Sequence, residues 1–498
     1  MSKSDFILLF GNQIGYTSVL YYLFLPAAVI AYYLIPKKHR WLALLGASAL
    51  FYYLLFSNRS QKLVFALSIV ISWVGGLILG KLKDSSAEKR SCALSVSIIL
   101  SALPLILMDG DKMLMSVAGD RYGIRNLIIP LGISFYTLQI IAYLADIYTG
   151  KAEVQKNILK YTLFVSFFPQ LIQGPISRYN KLSHQLTNGN DFDPDNIGRG
   201  FRLILWGMFL KMMIADKAGI VVDTIFENSK AYRGAYSLIG GILYSIQLYA
   251  DFHACTTLSQ GAAYLFGIQL PDNFNHPYFS TSIKDFWRRW HMSLSFWLRD
   301  YIYIPLGGNR KGKARKYLNL MITFLVSGIW HGGTMKFVFW GLLHAVYQLI
   351  GGWTYRLRNR IWPRIGVSED SKTRKAIQII STFILVMFGW IIFRADHLRD
   401  GLFMIRSIFT EFSPWVLTGT YLFNLGLDQN ECFVLIVSIL VLFFGSRKQE
   451  QGIVIGDRIA SIPIVWRYAL YLLMIAVIAI FGTYGFGFNA QDFIYGGF

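Results

Sequence analysis

The sequence predicts an all-α polytopic membrane protein with about eleven to thirteen helices, some of them tilted or re-entrant. Its 498 residues are 54% hydrophobic and only 15% charged, and the mean hydropathy is +0.43. Soluble domains carry roughly 25% charged residues, so this composition is typical of a chain immersed in lipid. Apolar runs recur into the C-terminal region, which argues against a series of soluble domains.

Eleven apolar runs define the predicted helices. About 20 apolar residues cross a bilayer, and several runs are shorter, so we expect these to be tilted, re-entrant or buried. We expect one domain over residues 1–498, with N-terminal helices in 1–126, a core in 127–355 and C-terminal helices in 356–498. The runs are Tyr21–Ile35, Trp41–Phe56, Leu63–Leu79, Leu94–Leu107, Leu127–Ile141, Ile158–Ile172, Phe201–Met213, Leu238–Tyr249, Ala376–Phe393, Cys432–Gly445 and Tyr468–Gly487.

The sequence excludes several common classes of protein. No cleavable signal peptide is predicted, because the first apolar region is long and no small-residue cleavage site follows it. Cys92, Cys255 and Cys432 are scattered, so their spacing predicts neither a disulfide framework nor a zinc site. The sequence has no phosphate-binding loop of the GxxxxGK(S/T) type and no GxSxG elbow. We therefore expect no bound metal, and neither an ATP-driven pump nor a serine hydrolase is supported.

The net charge of +20 has two possible explanations, nucleic-acid binding and membrane topology. The positive-inside rule is the better explanation, and we expect no nucleic-acid partner. Lys284–Lys316 holds nine bases and two acids, and Arg356–Lys375 holds seven bases and two acids, which predicts two cytoplasmic loops. Arg394–Glu431 holds three bases and five acids and is predicted to be external. This alternation, with basic residues returning at Arg447, Lys448 and Arg458, places the C-terminus outside. The N-terminus is placed outside by the basic first loop (Lys37, Lys38 and Arg40) and third loop (Lys81, Lys83, Lys89 and Arg90), whereas residues 150–275 are ambiguous by the same rule.

A histidine interrupts the apolar stretch Tyr317–Trp353, which begins and ends beside the two cytoplasmic loops. The stretch must therefore enter the membrane and return. Its first arm, Tyr317–Trp330, is about 21 Å long as a helix, less than a ~30 Å hydrocarbon core. The break at His331-Gly332-Gly333 would then lie within the membrane, where irregular backbone is tolerated only inside protein or beside a wet cavity. An ionisable ring there is a functional candidate, and the geometry suggests a central funnel with His331 near its floor.

A second histidine lies in Lys284–Asp300, which has the pattern of one amphipathic helix. Trp287, His291, Leu294 and Leu298 recur at the spacing of one face. Two interpretations remain open: a lipid-anchoring interfacial helix, and a cation-rich mouth for an anionic cytoplasmic donor such as a CoA thioester. The residues expected to bind the donor are Trp287, Arg288, Arg289, Trp290, Arg310 and Lys311.

Other polar residues also lie in apolar surroundings. Gln247, Asp251 and His253 are costly in lipid and form either helix–helix contacts or the lining of a cavity. His344, on the returning arm of the hairpin, is interpreted as a polar packing residue.

Four motifs follow one another in a fixed order. They are FFPQ with QGPI in Phe167–Ile176, DFWRRWH in Asp285–His291, YIPLGG in Tyr303–Gly308 and GIWHG in Gly328–Gly332. With these motifs the chain resembles the membrane-bound O-acyltransferase (MBOAT) family, from about Gly132 to the C-terminus. The resemblance is to the bacterial branch of alginate and peptidoglycan O-acetyltransferases, and the teichoic-acid D-alanylation enzyme is more distant.

The resemblance implies the site residues. His331 matches the principal active-site histidine of the family, and His291 matches the second histidine of the pattern. The family also implies a cytoplasm-facing funnel, which we expect Gln173, Asp251, Trp330 and Gly332 to line. A thioester donor, most simply acetyl-CoA as a co-substrate, would enter it without any bound cofactor. His331 would act as a general base on an acceptor hydroxyl, while His291 would orient the donor or bind its carbonyl oxygen.

Two segments depart from the family pattern. Tyr249–Thr257 keeps a tyrosine and an Asp-Phe pair but lacks the Ser-Gly-Tyr-Ser that often follows in relatives, so donor or acceptor choice is expected to differ there. Near the C-terminus, Gly496 and Gly497 replace bulkier residues after Tyr495. A tyrosine at this position is a proposed acyl relay in relatives, which makes Tyr495 the candidate here.

The resemblance implies that an acyl group, most simply acetyl, crosses the membrane for O-acylation of an extracytoplasmic polysaccharide. Because no long external segment is predicted, we expect a separate extracytoplasmic acyltransferase as partner, besides membrane lipids and the polysaccharide acceptor. The expected location is the bacterial cytoplasmic membrane, as a multi-pass protein. Two alternatives remain open: a multi-pass transporter or flippase, and an MBOAT enzyme that acylates a lipid.

Overall fold

The computed structural model describes residues 15–56, 58–118, 130–364, 366–418 and 420–483. Within those ranges the chain is helical and has no β-strand. Five of the described helices are long and apolar enough to cross a membrane. The prediction of an all-α polytopic membrane protein is therefore confirmed.

The described residues form two compact units, of which the first comprises 15–207 and 255–272. Its helices are α1 (Val19–Leu34), α2 (Arg40–Leu55), α3 (Arg59–Lys81), α4 (Ala87–Ala118), α5 (Ile133–Tyr148), α6 (Ile158–Ser166), α7 (Phe168–Leu171), α8 (Tyr179–Thr187) and the greater part of α9 (Pro194–Phe209). Helices α3, α4 and α5 pack on one another. Two hydrogen bonds from buried tyrosine hydroxyl groups connect residues of this unit that are distant in sequence. Tyr161 Oη donates to Ser72 Oγ at 2.8 Å, and Tyr16 Oη donates to the Pro169 carbonyl at 2.8 Å.

The second unit comprises residues 208–254 and 273–483 of the described chain. After a π-helical turn at Leu210–Ala215, its helices are α10 (Asp216–Glu227), α11 (Ala235–Tyr264, which continues into the first unit), α12 (Ile283–Arg289), α13 (Met292–Leu298), α14 (Gly312–Trp330), α15 (Met335–Trp353), α16 (Tyr355–Arg364), α17 (Lys372–Arg394), α18 (Leu398–Thr410), α19 (Gln429–Glu450), α20 (Ile455–Ala460) and α21 (Ile464–Phe481). The five apolar spans are α3, α4, α17, α19 and α21.

Helices α14 and α15 form the predicted hairpin and cross at very close range. A Cβ atom added at Gly328 would collide with the Phe337 carbonyl, and one added at Gly341 would collide with the Phe324 carbonyl. The two backbones are therefore in direct contact, which only glycine allows at these positions. Helix α15 also packs on α12 and α17, so the hairpin, α12 and α17 form one packed group inside the second unit.

Each predicted apolar run falls on helix over most of its described residues, with one clear difference. The run Ile158–Ile172 was expected to be continuous, but the structure divides it at Phe167 into α6 and α7. Pro169 explains the division, because proline lacks a backbone N–H and fits only the first turn of a new helix. The expected single domain and its three parts stay a prediction.

Candidate active site

The predicted break between α14 and α15 is present, and His331 begins it. Gly332 and Gly333 have φ angles of 139° and 67°, which glycine adopts at little steric cost. The N–H of His331 bonds to the Gly328 carbonyl at 3.1 Å, so the histidine caps α14. Its side chain is only 2% exposed. Helix α14 begins at Gly312, five residues before the predicted start, and is about 28 Å long. Neither arm is among the five apolar spans, and the re-entrant placement stays a prediction.

Aromatic rings surround the His331 imidazole. Its ring centroid lies 4.7 Å from that of Trp330, 5.1 Å from that of Trp340 and 5.3 Å from that of Phe393. All three contacts are edge-on, which leaves the imidazole held on several sides by rigid apolar groups. Such walls favour a fixed side-chain orientation, which general base catalysis requires.

The expectation of one helix over Lys284–Asp300 is wrong, because the chain breaks at the second histidine. Helix α12 ends at Arg289, α13 begins at Met292, and His291 has a φ of 42° in the left-handed region. Asn273 stabilises the break: its carbonyl accepts the N–H of Met292 at 2.9 Å, and its Oδ1 accepts that of Ser293 at 3.2 Å. Trp287 and His291 therefore do not share one helical face.

The break directs His291 towards the hairpin. His291 is 1% exposed, and its ring lies 4.6 Å from Phe252 and 6.0 Å from Trp330. Trp330 also contacts His331, so one indole ring touches both predicted histidines. The structure thus brings together two residues that the spacing in the sequence could not connect.

A third histidine, His344, belongs to the same group and was interpreted only as a packing residue. It is fully buried, and its Nδ1 accepts a hydrogen bond from Trp287 Nε1 at 3.3 Å. Its ring lies 5.0 Å from that of Trp340, which also contacts His331. The helical spacing of His344 and Trp340 on α15 is a signal that would have placed both on one face.

The predicted donor-binding residues lie in different environments. Arg288, Arg310 and Lys311 are exposed, whereas Trp290 is buried against the rings of Phe286 and Trp390. Arg289 is held in ion pairs, at 3.2 Å from Asp285 Oδ1 and 2.6 Å from Glu450 Oε2. The exposed cations are thus the ones that a donor phosphate could meet directly, and their donor role stays a prediction.

A buried asparagine fixes the turn that carries Arg310 and Lys311. Asn319 Nδ2 donates to the Leu306 carbonyl at 3.2 Å and to the Gly308 carbonyl at 2.9 Å. Asn319 lies on α14, so the cationic turn is attached to the arm that ends at His331. The sequence pattern did not reveal this role.

The remaining predicted site residues are all buried where the structure describes them. Asp251 takes part in a buried ion triad, because Lys211 Nζ lies 2.8 Å from Asp251 Oδ1 and 2.9 Å from Asp216 Oδ1. Gln173 is fully buried within the first unit, and Trp330 and Gly332 are buried in the second. A common cavity lined by these residues stays a prediction. Tyr495 lies outside the described residues, as do its glycine neighbours.

An open cavity of about 430 Å³ lies elsewhere in the second unit. Arg233 and Glu411, which line it, are paired with each other at 3.0 Å. None of the three histidines described above lines this cavity, so we do not assign the acyl transfer to it. Across the described ranges, no three His, Cys, Asp or Glu side chains gather as metal ligands would.

Comparison with known proteins identifies the family. The model of the MBOAT, membrane-bound O-acyltransferase family matches residues 151–394. The chain is 31% identical to a probable alginate O-acetylase AlgI of Pseudomonas fluorescens, over 96% of this chain and 98% of that relative. The chain belongs to the membrane-bound O-acyltransferase family. It is therefore an O-acyltransferase of the membrane.

Two further bacterial relatives of this chain are named for other polymers. The chain is 30% identical to a peptidoglycan O-acetyltransferase of Helicobacter pylori, over 81% of this chain and 80% of the relative. It is 29% identical to a teichoic acid D-alanyltransferase of Bacillus subtilis, over 68% of this chain and 87% of the relative. The matched family range contains His291, His331 and His344, together with the helices that hold them.

Proposed function

We propose that this enzyme transfers an acyl group, most simply acetyl, from a cytoplasmic thioester for O-acylation of an extracytoplasmic polysaccharide. The observation that carries the proposal is the placement of His331: a buried imidazole at the turn of a hairpin, with aromatic walls and with Trp330 in contact with both His331 and His291. Relatives that bear the names of alginate, peptidoglycan and teichoic acid enzymes support a polymer acceptor.

In the proposed mechanism His331 is the general base. It takes the proton from an acceptor hydroxyl, and the oxygen attacks the thioester carbonyl and displaces the thiolate of the donor. His291 would donate a hydrogen bond to the carbonyl oxygen as negative charge develops there. The exposed cations Arg288, Arg310 and Lys311 would pair with the phosphates of acetyl-CoA.

The first experiment measures release of free CoA from acetyl-CoA by the purified protein in lipid nanodiscs. We expect His331→Ala to abolish release, because the base is lost, while the variant still inserts and folds. The matched control is His397→Ala, which removes an exposed histidine from the same unit and should leave turnover unchanged. Full activity in His331→Ala would reject the assignment.

The acceptor is tested in two steps. Mass spectrometry of the C-terminal tryptic peptide after incubation with acetyl-CoA should show acetylated Tyr495, and a Tyr495→Phe variant with normal turnover would remove the relay from the mechanism. Labelled acetate supplied to cells should then appear as an ester in the polysaccharide fraction. Labelled ester found only in the lipid fraction would favour the alternative in which the enzyme acylates a lipid.

We propose a separate extracytoplasmic acyltransferase as the partner that carries out the final transfer to the polysaccharide.

A further inference from the structure

His344 lies in the middle of α15 and is an ionisable residue that the proposed mechanism leaves unused. It is fully buried in the group formed by the hairpin, α12 and α17. Ionisable side chains inside a membrane bundle are expensive and usually have a function. A purely apolar side chain of similar size would fill this position at lower cost.

The hydrogen bond of His344 fixes which nitrogen carries the proton. Trp287 Nε1 is only a donor, and it points at His344 Nδ1 at 3.3 Å. Nδ1 must therefore be the unprotonated nitrogen, and the proton lies on Nε2. The imidazole is held as one tautomer, with its acceptor side directed at α12.

The other side of the ring faces a glycine of α17. A Cβ atom added at Gly389 would lie only 2.7 Å from His344 Nε2. Gly389 thus makes the space that the imidazole occupies, and any larger residue there would push the ring out of its position. The ring is fixed by a hydrogen bond on one side and by a backbone contact on the other.

His344 also contacts the ring that touches the proposed base. Its centroid lies 5.1 Å from Trp287 and 5.0 Å from Trp340, and Trp340 lies 5.1 Å from His331. Trp287, a predicted donor-binding residue on α12, is therefore connected to His331 by three ring contacts that pass through His344 and Trp340. Side chains in such a packed group move together, because there is no free volume between them.

We propose that His344 is a positioning residue for acyl transfer: it holds Trp287 on the donor side and Trp340 against His331 in one fixed arrangement. This inference rests on the proposed function in taking His331 as the base. His344 touches no reacting atom. Its effect is to align the donor carbonyl with the base, and errors of about 1 Å in such alignment can cost 10²-fold in rate.

The test compares two substitutions that differ in hydrogen bonding. His344→Phe keeps a ring and loses the acceptor for Trp287, whereas His344→Asn keeps an acceptor close to the place of Nδ1. We expect His344→Phe to lower kcat/KM for acetyl-CoA by roughly tenfold, with a raised KM and a lowered kcat, and His344→Asn to recover most of it. Trp287→Phe should resemble His344→Phe, and the double variant should be no worse than either.

Two glycine-to-alanine substitutions give an independent test of the position of the His344 ring. Gly389→Ala should displace the imidazole and reduce turnover of folded protein, because the new methyl group meets Nε2. Gly351→Ala is the matched control on α15, since nothing lies within 4 Å of a Cβ at that position. It should keep full turnover.

The outcomes separate this proposal from the proposed function. If kcat and KM per folded molecule are unchanged in His344→Phe, while His331→Ala is inactive, His344 is structural and only the positioning role is overturned. Equal losses in His344→Phe and His344→Asn would also overturn it, because the hydrogen bond would then not matter. A wild-type protein that neither binds nor cleaves acetyl-CoA would overturn both proposals.

Discussion

At His291 the backbone adopts a conformation that most residues avoid. Its φ of 42° is in the left-handed region, which costs a residue with a Cβ atom about 1–2 kcal/mol. Asn273 offsets part of this cost by accepting the two backbone N–H groups that follow the break. A strained backbone next to a functional side chain is a common arrangement, because the strain sets the direction in which the side chain points.

This strain predicts a difference between two variants that both lack the imidazole. His291→Gly should be more stable than His291→Ala by about 1 kcal/mol, since glycine adopts a positive φ without steric cost. Thermal unfolding of both proteins in the same detergent measures the difference. Both should have low CoA release if His291 takes part in catalysis. An alanine variant as stable as the glycine variant would show that the turn relaxes when the ring is removed.

The residues of the site were predictable to different degrees. His331, Gly332 and Gly333 stood out because a polar residue and two glycines interrupt an apolar stretch. The left-handed turn at His291 was missed, because helical spacing of Trp287, His291 and Leu294 predicts a continuous face while Asn273, eighteen positions earlier, sets the break. The contacts of His344 were missed for a similar reason, since its partners Trp287 and Gly389 lie far away in sequence.

Among the elements, the π-helical turn at Leu210–Ala215 has the clearest consequence. A π-turn bonds residue i to residue i+5, so Lys211 and Asp216 come to lie on the same side of the helix. Helix α11 adds Asp251, and the three side chains form a nearly fully buried triad. The sequence indicated that Asp251 was costly in lipid but gave no sign that Lys211 was its partner.

Because the Lys211 triad is buried and the Lys37–Asp191 ion pair is exposed, we expect loss of the lysine to lower the stability of the protein much more at the triad than at the pair. Lys211→Met leaves two buried carboxylates without their cation and should destabilise the protein by about 3–5 kcal/mol. Lys37→Met removes the cation of an exposed pair, at 2.6 Å from Asp191, and should have little effect because water replaces the contact. Thermal unfolding of the two variants tests this. Equal midpoints would mean that Lys211 stabilises nothing.

Loop charge sets the expected arrangement of the whole molecule in the membrane. The described apolar helices fall where the sequence predicted them, because length and composition alone are enough to identify a span. Short helices such as α7 and α13 were not predicted, since their ends depend on one proline and on a distant asparagine. Which side each loop faces depends on charge relative to the bilayer, and the positive-inside rule supplies the prediction.

Single cysteines test this topology in a variant that lacks Cys92, Cys255 and Cys432. Ser368→Cys lies in the basic segment Arg356–Lys375, and Thr418→Cys lies in the acidic segment Arg394–Glu431; both positions are exposed. A membrane-impermeant maleimide should label Thr418→Cys in intact spheroplasts and Ser368→Cys only after lysis. The reason is that Lys and Arg are retained on the cytoplasmic side during insertion. The result also tests the proposed direction of acyl transfer, because Arg310 and Lys311 are predicted to share the side of Ser368. Labelling in the opposite order would place these cations outside, where no CoA thioester is available, and a cytoplasmic donor would then be impossible for this site.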